Sequence, residues 1–277
     1  MGSIVRAMPI AAVLFDLDNT LILEDASTFR ALETAARAAA PGVDPKALAD
    51  AAAKRAATLF EESPVGAFGA RFGIWWGEAL WGGFAGDAPE LRSLREYVPG
   101  YRRQVWRDAL ASLGASDGAV ADRLAAAYID ARRARETIDP VAAPVLEALA
   151  RRYRLALVTN GAPDVQREKL SRTPFAPFFK AIVVSVEVGY GKPDPRLFEH
   201  AARALDVTAA ECAVVGDSLQ RDVAGARAAG MKAVWLDRRL WNEPDAPQPD
   251  ARIERLSDLP VALDALARQP ASPRATL

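Results

Sequence analysis

Short apolar runs recur along the chain, and each ends at a loop with polar residues. Five runs are long enough to be strands: 11–15, 154–158, 181–185, 213–215 and 233–236. Continuous apolar strands of this kind are typical of a parallel sheet that is covered on both faces. From Asp139 onward the runs alternate with helical patterns, the first of which opens with an Asp-Pro pair that fits an N-cap and first helical position. This alternation predicts a doubly wound α/β sheet.

Residues 24–137 have a different pattern, with several helical periodicities and no convincing strand. Asp44-Pro45 repeats the cap-plus-proline start, and another helix begins at Ser116 or Asp117. The Gly/Trp-rich stretch 66–86 fits neither pattern clearly. We therefore expect a Rossmann-like α/β core built from residues 1–23 and 138–268, an inserted all-helical cap domain at 24–137, and a flexible tail at 269–277.

Composition narrows the classes of function. The 51% hydrophobic and 26% charged content is that of a globular protein, and 35 basic against 36 acidic residues leave no global field for nucleic acid or an anionic membrane. No apolar segment is long enough for a signal sequence or a bilayer span. One cysteine, Cys212, excludes an internal disulfide, and one histidine, His200, makes a Ser/His/Asp hydrolase a poor fit. We expect a cytoplasmic protein with a small-molecule partner, either a monomer or a homodimer.

Polar clusters at strand ends carry the candidate chemistry. They are Phe15 to Leu21, with carboxylates at Asp16 and Asp18; Thr159-Asn160-Gly161; Lys192, between a glycine and a proline; and Gly216 to Asp222, with carboxylates at Asp217 and Asp222. Each cluster alone also fits a simpler interpretation, as a turn, a helix cap or a surface lysine. The carboxyl ends of parallel strands meet at one edge of a sheet, so we expect the four clusters to converge on one site.

Four acids in one crevice require a positive partner. Two unit charges about 4 Å apart repel by roughly 4 kcal/mol at an effective dielectric near 20. Oxygen ligands without histidine or cysteine favour Mg²⁺, so Asp16, Asp18, Asp217 and Asp222 are candidate metal residues. Lys192 adds a second positive charge for phosphate oxygens, and the Thr20 or Thr159 hydroxyl and the Asn160 amide add neutral donors.

Taken together, these motifs resemble the haloacid dehalogenase-like hydrolase superfamily over residues 9–23 and about 138–240. The resemblance implies that Asp16 is the nucleophile and Asp18 the general acid/base. It implies further that Thr159 and Lys192 orient phosphate, that Thr20, Asn160 and Gly161 bind it, and that Asp217 ligates Mg²⁺. Asp222 would act through a metal-bound water, and the Asp18 carbonyl would complete part of the coordination. The helical insert is similar to the small mobile cap of this superfamily.

The expected activity is hydrolysis of a small phosphorylated metabolite, a phosphate monoester, through an aspartyl-phosphate intermediate. Asp18 argues against a 2-haloacid dehalogenase, because a halide leaving group needs no proton, although this activity stays open. So do a sugar-phosphate phosphomutase and a non-catalytic interaction protein. The substrate is left open, since the insert's aromatic and arginine residues fit either a substrate pocket or helix packing: Arg71, Trp75, Trp76, Trp81, Tyr101, Arg102 and Trp106.

Overall fold

The computed structural model describes residues 10–115, 117–240 and 247–268, which form two compact units. An α/β unit takes its described residues from the ranges Met1–Ile22, Ile138–Thr159 and Thr173–Leu277, and a helical unit takes its described residues from Leu23–Thr137 and Asn160–Arg172. Residues 160–172, which the sequence pattern assigns to the core, are thus grouped with the helical unit. The predicted tail 269–277 lies outside the described residues.

After β1 a run of helices leads to β2, and from β2 onward strands and helices follow one another along the described chain. The strands are β1 Ala12–Phe15, β2 Arg154–Thr159, β3 Ala181–Val184, β4 Cys212–Gly216, β5 Lys232–Leu236 and β6 Ala251–Ile253. The helices are α1 Glu24–Ala39, α2 Pro45–Glu61, α3 Gly66–Phe72, α4 Trp76–Ala79, α5 Pro89–Ser112, α6 Gly118–Ala134, α7 Ala142–Ala150, α8 Pro163–Ser171, α9 Ser185–Val188, α10 Pro195–Ala204, α11 Ala224–Ala228 and α12 Leu259–Leu266. None of these helices is long and apolar enough to cross a membrane.

The α/β unit is built on one parallel sheet with strand order β3-β2-β1-β4-β5-β6. In the register Phe15 pairs with Leu157 on one side and with Val215 on the other, so β1, β2 and β4 end side by side. The predicted doubly wound sheet is confirmed. The short edge strand β6 is an addition, since its three residues give too brief a pattern to be recognised as a strand.

The core of this unit comes from the apolar faces of the central strands and of α10. Leu14, Val158, Phe198 and Val214 are buried in one cluster, which also contains Cys212. His200, on the same helix as Phe198, is exposed, as its helical position predicts.

The Asp-Pro pair at residues 139–140 does not cap α7, which begins only at Ala142 after an N-cap at Val141. Instead, the Asp139 carboxylate accepts a hydrogen bond from the Val141 amide at 3.0 Å and another from Arg238 Nη2 at 2.6 Å. The N-cap interpretation is therefore wrong, since the helix begins two residues later than the Asp-Pro pair predicts.

The helical unit contains the predicted caps and resolves the unassigned stretch. Asp44 caps α2 by accepting from the Lys46 amide at 2.8 Å, and Asp117 caps α6 through the Ala119 amide at 2.8 Å. Ser116 lies outside the described residues. Residues 66–86 form the two short helices α3 and α4 with their connecting turns. Trp81 is almost completely buried, so part of the tryptophan-rich stretch belongs to the core of this unit.

Candidate active site

Asp16 lies directly after β1, and its amide continues the ladder by donating to the Val215 carbonyl at 2.9 Å. Its carboxylate meets Lys192, which is in the loop before α10. Lys192 Nζ donates to Asp16 Oδ1 at 2.6 Å and to Asp222 Oδ1 at 2.7 Å, and all three residues are buried. The structure thus brings the candidate lysine into direct contact with the candidate nucleophile and with the last acid of the cluster Gly216 to Asp222.

Asp217 completes the acidic group. It follows β4, and Asp222 comes from the π-helical turn Leu219–Val223. One carboxylate oxygen from each of Asp16, Asp217 and Asp222 lies within 4.8 Å of the others. The Ser218 amide donates to Asp222 Oδ2 at 3.2 Å, and Trp235 Nε1 donates to the Asp217 carbonyl at 2.8 Å. The polar residues after β1 and β4 therefore converge.

The charges of this group do not balance. Three carboxylates face one ammonium group. Burial raises the pKa of Asp222 to about 6; the charge of Lys192 opposes this shift, and the charge of Asp16 adds to it. Burial by itself would lower the pKa of Lys192, but the attraction of Asp16 and Asp222 outweighs it and raises the pKa. The lysine is cationic, and an excess of negative charge remains. An all-oxygen set with this excess fits a hard divalent cation such as Mg²⁺.

The loop after Asp16 turns sharply through Asn19, whose φ of 58° is in the left-handed region. Asp18 is half-buried and forms a bridge with Ile22. Thr20 is completely buried, and its Oγ1 has no hydrogen-bond partner among the described residues. A buried hydroxyl without a partner carries a free-energy cost, which a ligand oxygen or a water molecule would relieve.

Arg238 holds this loop and was not recognised from the sequence. Its Nε donates to the Asn19 carbonyl at 3.0 Å, and its Nη2 donates to the Thr20 carbonyl at 2.9 Å and to Asp139 Oδ2 at 2.6 Å. Arg238 follows β5, so the rule that strand ends supply the site would have identified it if applied to this strand as well.

The cluster Thr159-Asn160-Gly161 has residues in both units. Thr159 is the buried last residue of β2, whereas Asn160 and Gly161 belong to the helical unit. Gly161 has a φ of 137°, which only glycine adopts readily. Within the helical unit, Gly73 lies against Asn160: a Cβ at Gly73 would approach Asn160 Cβ to 2.6 Å.

The aromatic and arginine residues considered for a substrate pocket separate into two groups. Trp81, Trp106 and Tyr101 are buried, and the Tyr101 hydroxyl donates to the Ala56 carbonyl at 3.0 Å. Arg102 donates to the Ala79 and Gly82 carbonyls, at 3.0 and 2.6 Å. These four pack within the helical unit. Arg102 is half-buried, as are Trp75 and Trp76, and Arg71 is exposed.

Comparisons with known proteins identify the family to which this chain is similar. The sequence profile of the haloacid dehalogenase-like hydrolase family matches residues 10–230. A phosphoserine phosphatase of Thermus thermophilus is 39% identical over 252 residues, which cover 90% of this chain and 98% of that protein. A 2-haloacid dehalogenase structure from Pseudomonas syringae pv. Tomato is similar with a TM-score of 0.56 and 27% identity, covering 92% of this chain and 99% of the other.

The HAD-hydrolase YfnB from Bacillus subtilis, solved bound to magnesium, shares the fold with a TM-score of 0.62 at 21% identity, over 92% of this chain and 99% of that one. The profile match covers well over half of the chain, and the phosphoserine phosphatase is similar over nearly its whole length. The predicted family and hydrolase class are thereby confirmed. This chain belongs to the haloacid dehalogenase-like hydrolase family.

Proposed function

We propose that this hydrolase is a magnesium-dependent phosphatase that acts on a small-molecule phosphate monoester through an aspartyl-phosphate intermediate. The observation that carries the proposal is the contact of Lys192 with Asp16 beside Asp217 and Asp222. This geometry combines a carboxylate nucleophile, a fixed cation for phosphate oxygens and an acidic set for a metal ion. The 39% identity to a phosphoserine phosphatase supports the same class of reaction.

Asp16, Asp217 and Asp222 would hold the metal ion, and the family resemblance adds the Asp18 carbonyl. Their oxygens are close, buried and in charge excess over Lys192, as a divalent cation site requires. Mg²⁺, when bound, would neutralise the charge on the phosphate oxygens and on the carboxylates around them. Lys192 contributes the second positive charge, which its raised pKa keeps in place.

The chain's own residues supply the two chemical steps. In the first, an Asp16 carboxylate oxygen bonds to phosphorus while the bond from phosphorus to the ester oxygen breaks, and Asp18 protonates the departing alkoxide. In the second, Asp18 takes a proton from the water that attacks phosphorus, which releases inorganic phosphate and regenerates the Asp16 carboxylate. Thr159 and Lys192 orient the phosphate, and Thr20, Asn160 and Gly161 supply further contacts to it. The unpartnered Thr20 hydroxyl supports this role.

Phosphoserine is the substrate that the comparison supports first, because the relative that matches over 98% of its own length is a phosphoserine phosphatase. Its leaving group is the strongly basic alkoxide of the serine side chain. Such a group requires a proton donor, and Asp18 is two residues after the nucleophile.

A haloacid dehalogenase is the second candidate, because a solved structure of that activity is 27% identical to this chain. Both activities use a carboxylate nucleophile, so the Asp16 geometry alone does not separate them. The resemblance implies that dehalogenases have no acid two residues after the nucleophile, whereas this chain has Asp18 at that position. Chloride release from 2-chloropropionate, measured beside phosphate release, decides between the two.

The test of the proposed function is phosphate release from phosphoserine and from 4-nitrophenyl phosphate, with Mg²⁺ and after exhaustive chelation. We expect activity only with the metal, and none in Asp16→Asn, which is nearly isosteric. Wild type, but not this variant, should be trapped by beryllium fluoride. Normal turnover by folded Asp16→Asn would overturn the assignment of the nucleophile.

A further inference from the structure

The loop Asn160-Gly161 is supported from within the helical unit by a buried polar chain. Gln166, in α8, packs on Gly161 so closely that a Cβ at Gly161 would approach Gln166 Cγ to 2.8 Å. Gln166 Nε2 in turn donates to Glu78 Oε1 at 2.7 Å, and Glu78 is in α4. Gln166 and Glu78 are both buried. The position of Gly161 therefore depends on a side chain whose amide is oriented by a distant carboxylate.

A second contact joins the same part of the helical unit to this loop. Gly73, five residues before Glu78, lies against the Asn160 side chain at a distance that excludes any larger residue. Its φ of 72° ends α3 and turns the chain toward α4. Residues 73–78 thus contact Asn160 directly and support Gly161 through Gln166.

The buried charged groups behind this loop cost free energy to desolvate, which a purely structural contact between apolar side chains would avoid. Lys169 Nζ also donates to Glu78 Oε1 at 2.7 Å and lies 3.4 Å from Glu24 Oε2, and these three residues are buried. Burial is the largest influence on the pKa of Glu78 and raises it, although the Lys169 charge opposes this shift. Buried ion pairs contribute little net stability compared with apolar residues of the same shape. Here the Glu78 carboxylate fixes the orientation of the Gln166 amide through a hydrogen bond, which an apolar side chain could not do.

We propose that Glu78 is a positioning residue for phosphate binding, acting through Gln166 to hold the Asn160-Gly161 loop in its binding conformation. The proposal rests on the proposed phosphatase function, in which this loop contacts the phosphate. Glu78 does not touch the reacting atoms. Its removal should displace the loop, and small displacements of binding groups have large kinetic costs.

Two single substitutions separate the parts of this chain of contacts. Gln166→Met keeps the length and bulk of the side chain and removes the hydrogen bond to Glu78. Glu78→Gln keeps an acceptor oxygen but removes the charge that pairs with Lys169. We expect both to reduce kcat/KM and to raise the inhibition constant of inorganic phosphate by tenfold or more, with the larger effect in Gln166→Met.

Glu136→Gln is the matched control. Glu136 is a buried acid of the same unit that accepts two hydrogen bonds from Arg132 Nη1, both at 2.8 Å, and lies 3.6 Å from Arg172. Arg132 also donates to Glu24, so this variant disturbs the same group of buried charges without removing the hydrogen bond between Gln166 and Glu78. The melting temperature of this variant should fall by as much as that of Gln166→Met, while its kcat, KM and phosphate inhibition constant should stay within twofold of wild type. The double variant Glu78→Gln with Gln166→Glu reverses donor and acceptor, and we expect it to recover at least a third of the lost kcat/KM.

The outcomes distinguish this inference from the function on which it rests. Wild type that releases no phosphate from any ester would overturn the proposed function. Active wild type together with folded Gln166→Met and Glu78→Gln whose kinetic constants are unchanged would overturn the positioning role alone. Equal kinetic losses in Glu136→Gln and Gln166→Met would also overturn it, since general destabilisation would then be the cause. If Gln166→Met does not fold, Glu78→Gln and the double variant decide the question in the same way.

Discussion

Gly216 and Asp222 are in direct contact, and no side chain fits between them. A Cβ built on Gly216 would lie 2.6 Å from Asp222 Cβ and closer still to the carboxylate carbon. Because Gly216 ends β4 and Asp222 contacts Lys192, the missing side chain at residue 216 sets the distance between the strand end and the buried acid.

Gly216→Ala should therefore displace Asp222 and the π-helical turn that carries it. We expect a loss of about 1–3 kcal/mol in the free energy of unfolding, as for other overpacked sites. Phosphatase activity should fall at least tenfold, because Asp222 is part of the acidic group. Chemical denaturation and steady-state kinetics measure the two effects. Gly230→Ala provides a comparison at a glycine with no atom near its Cβ, where backbone strain alone acts; a stable and fully active Gly216→Ala would contradict the packing argument.

Asp18→Asn should reveal its role through the leaving group. An alkoxide needs a proton, whereas 4-nitrophenolate leaves readily without one. The rate of aspartyl-phosphate formation should fall by about 10²–10⁴-fold for phosphoserine and much less for 4-nitrophenyl phosphate. Single-turnover measurements with both esters test this difference. Equal losses for the two esters would mean that Asp18 does not act as the acid.

Mg²⁺ should stabilise the folded protein without any substrate. A ligand at about 100 times its dissociation constant adds about 2.7 kcal/mol to the free energy of unfolding. We expect Mg²⁺ to raise the melting temperature of wild type and to have a much smaller effect on Asp217→Ala, since that variant lacks one of the three clustered carboxylates.

Asp250→Asn is the control for this experiment, because Asp250 is a largely buried acid that pairs with Lys232 at 3.3 Å, outside the acidic group. Its response to Mg²⁺ should match that of wild type. A melting temperature of wild type that is independent of Mg²⁺ up to millimolar concentrations would argue against the proposed metal site.

Arg238→Lys should loosen the loop that carries Asn19 and Thr20. A lysine cannot reproduce the planar arrangement in which Arg238 donates to both carbonyl oxygens and to Asp139. We expect kcat to fall about tenfold and the melting temperature to fall by several degrees. Arg239→Lys, at a side chain that is 74% exposed and pairs with Glu254 at 3.2 Å, should change neither property.

Cys212 gives a pH dependence whose direction is set by burial. Burial, with the nearby Glu211 charge, raises the pKa of this thiol to about 12 from its ordinary value of 9.0. The folded state therefore holds the thiol proton more tightly than the unfolded chain. The stability that this provides is complete below pH 9 and is lost as the pH rises toward 12.

Labelling with a thiol reagent at pH 8 should be at least 100-fold slower in the native protein than in urea, where one thiol per chain should react. In alkaline denaturation, Cys212→Ala should lose stability less steeply between pH 9 and 12 than wild type does. Rapid labelling of the native protein would contradict the burial of this residue.

Local sequence was sufficient to predict the sheet and most of the residues at its carboxyl edge. Runs such as the one that became β4 are apolar because both faces of the sheet are covered, so burial is visible without knowing the partners. Asp16 and Asp217 could be proposed because polar residues directly after such runs must lie at a strand end. Strand β6 was missed because its three residues give too short a pattern. The start of α7 was placed two residues early, at Asp139, because an Asp-Pro pair fits a turn before a helix as well as a helix cap.

Tertiary structure alone decided which helical residues are core and where α8 belongs. Trp75 and Trp81 are in the same tryptophan-rich stretch, yet Trp81 is buried and Trp75 retains accessible surface. Residues 160–172 follow a core strand in sequence, but Gln166 and Lys169 find their acceptor, Glu78, about ninety residues earlier in the chain. Local periodicity reports that a residue has a buried face and does not identify the distant partner that covers it. For that reason the polar chain behind Asn160-Gly161 became visible only in the folded protein.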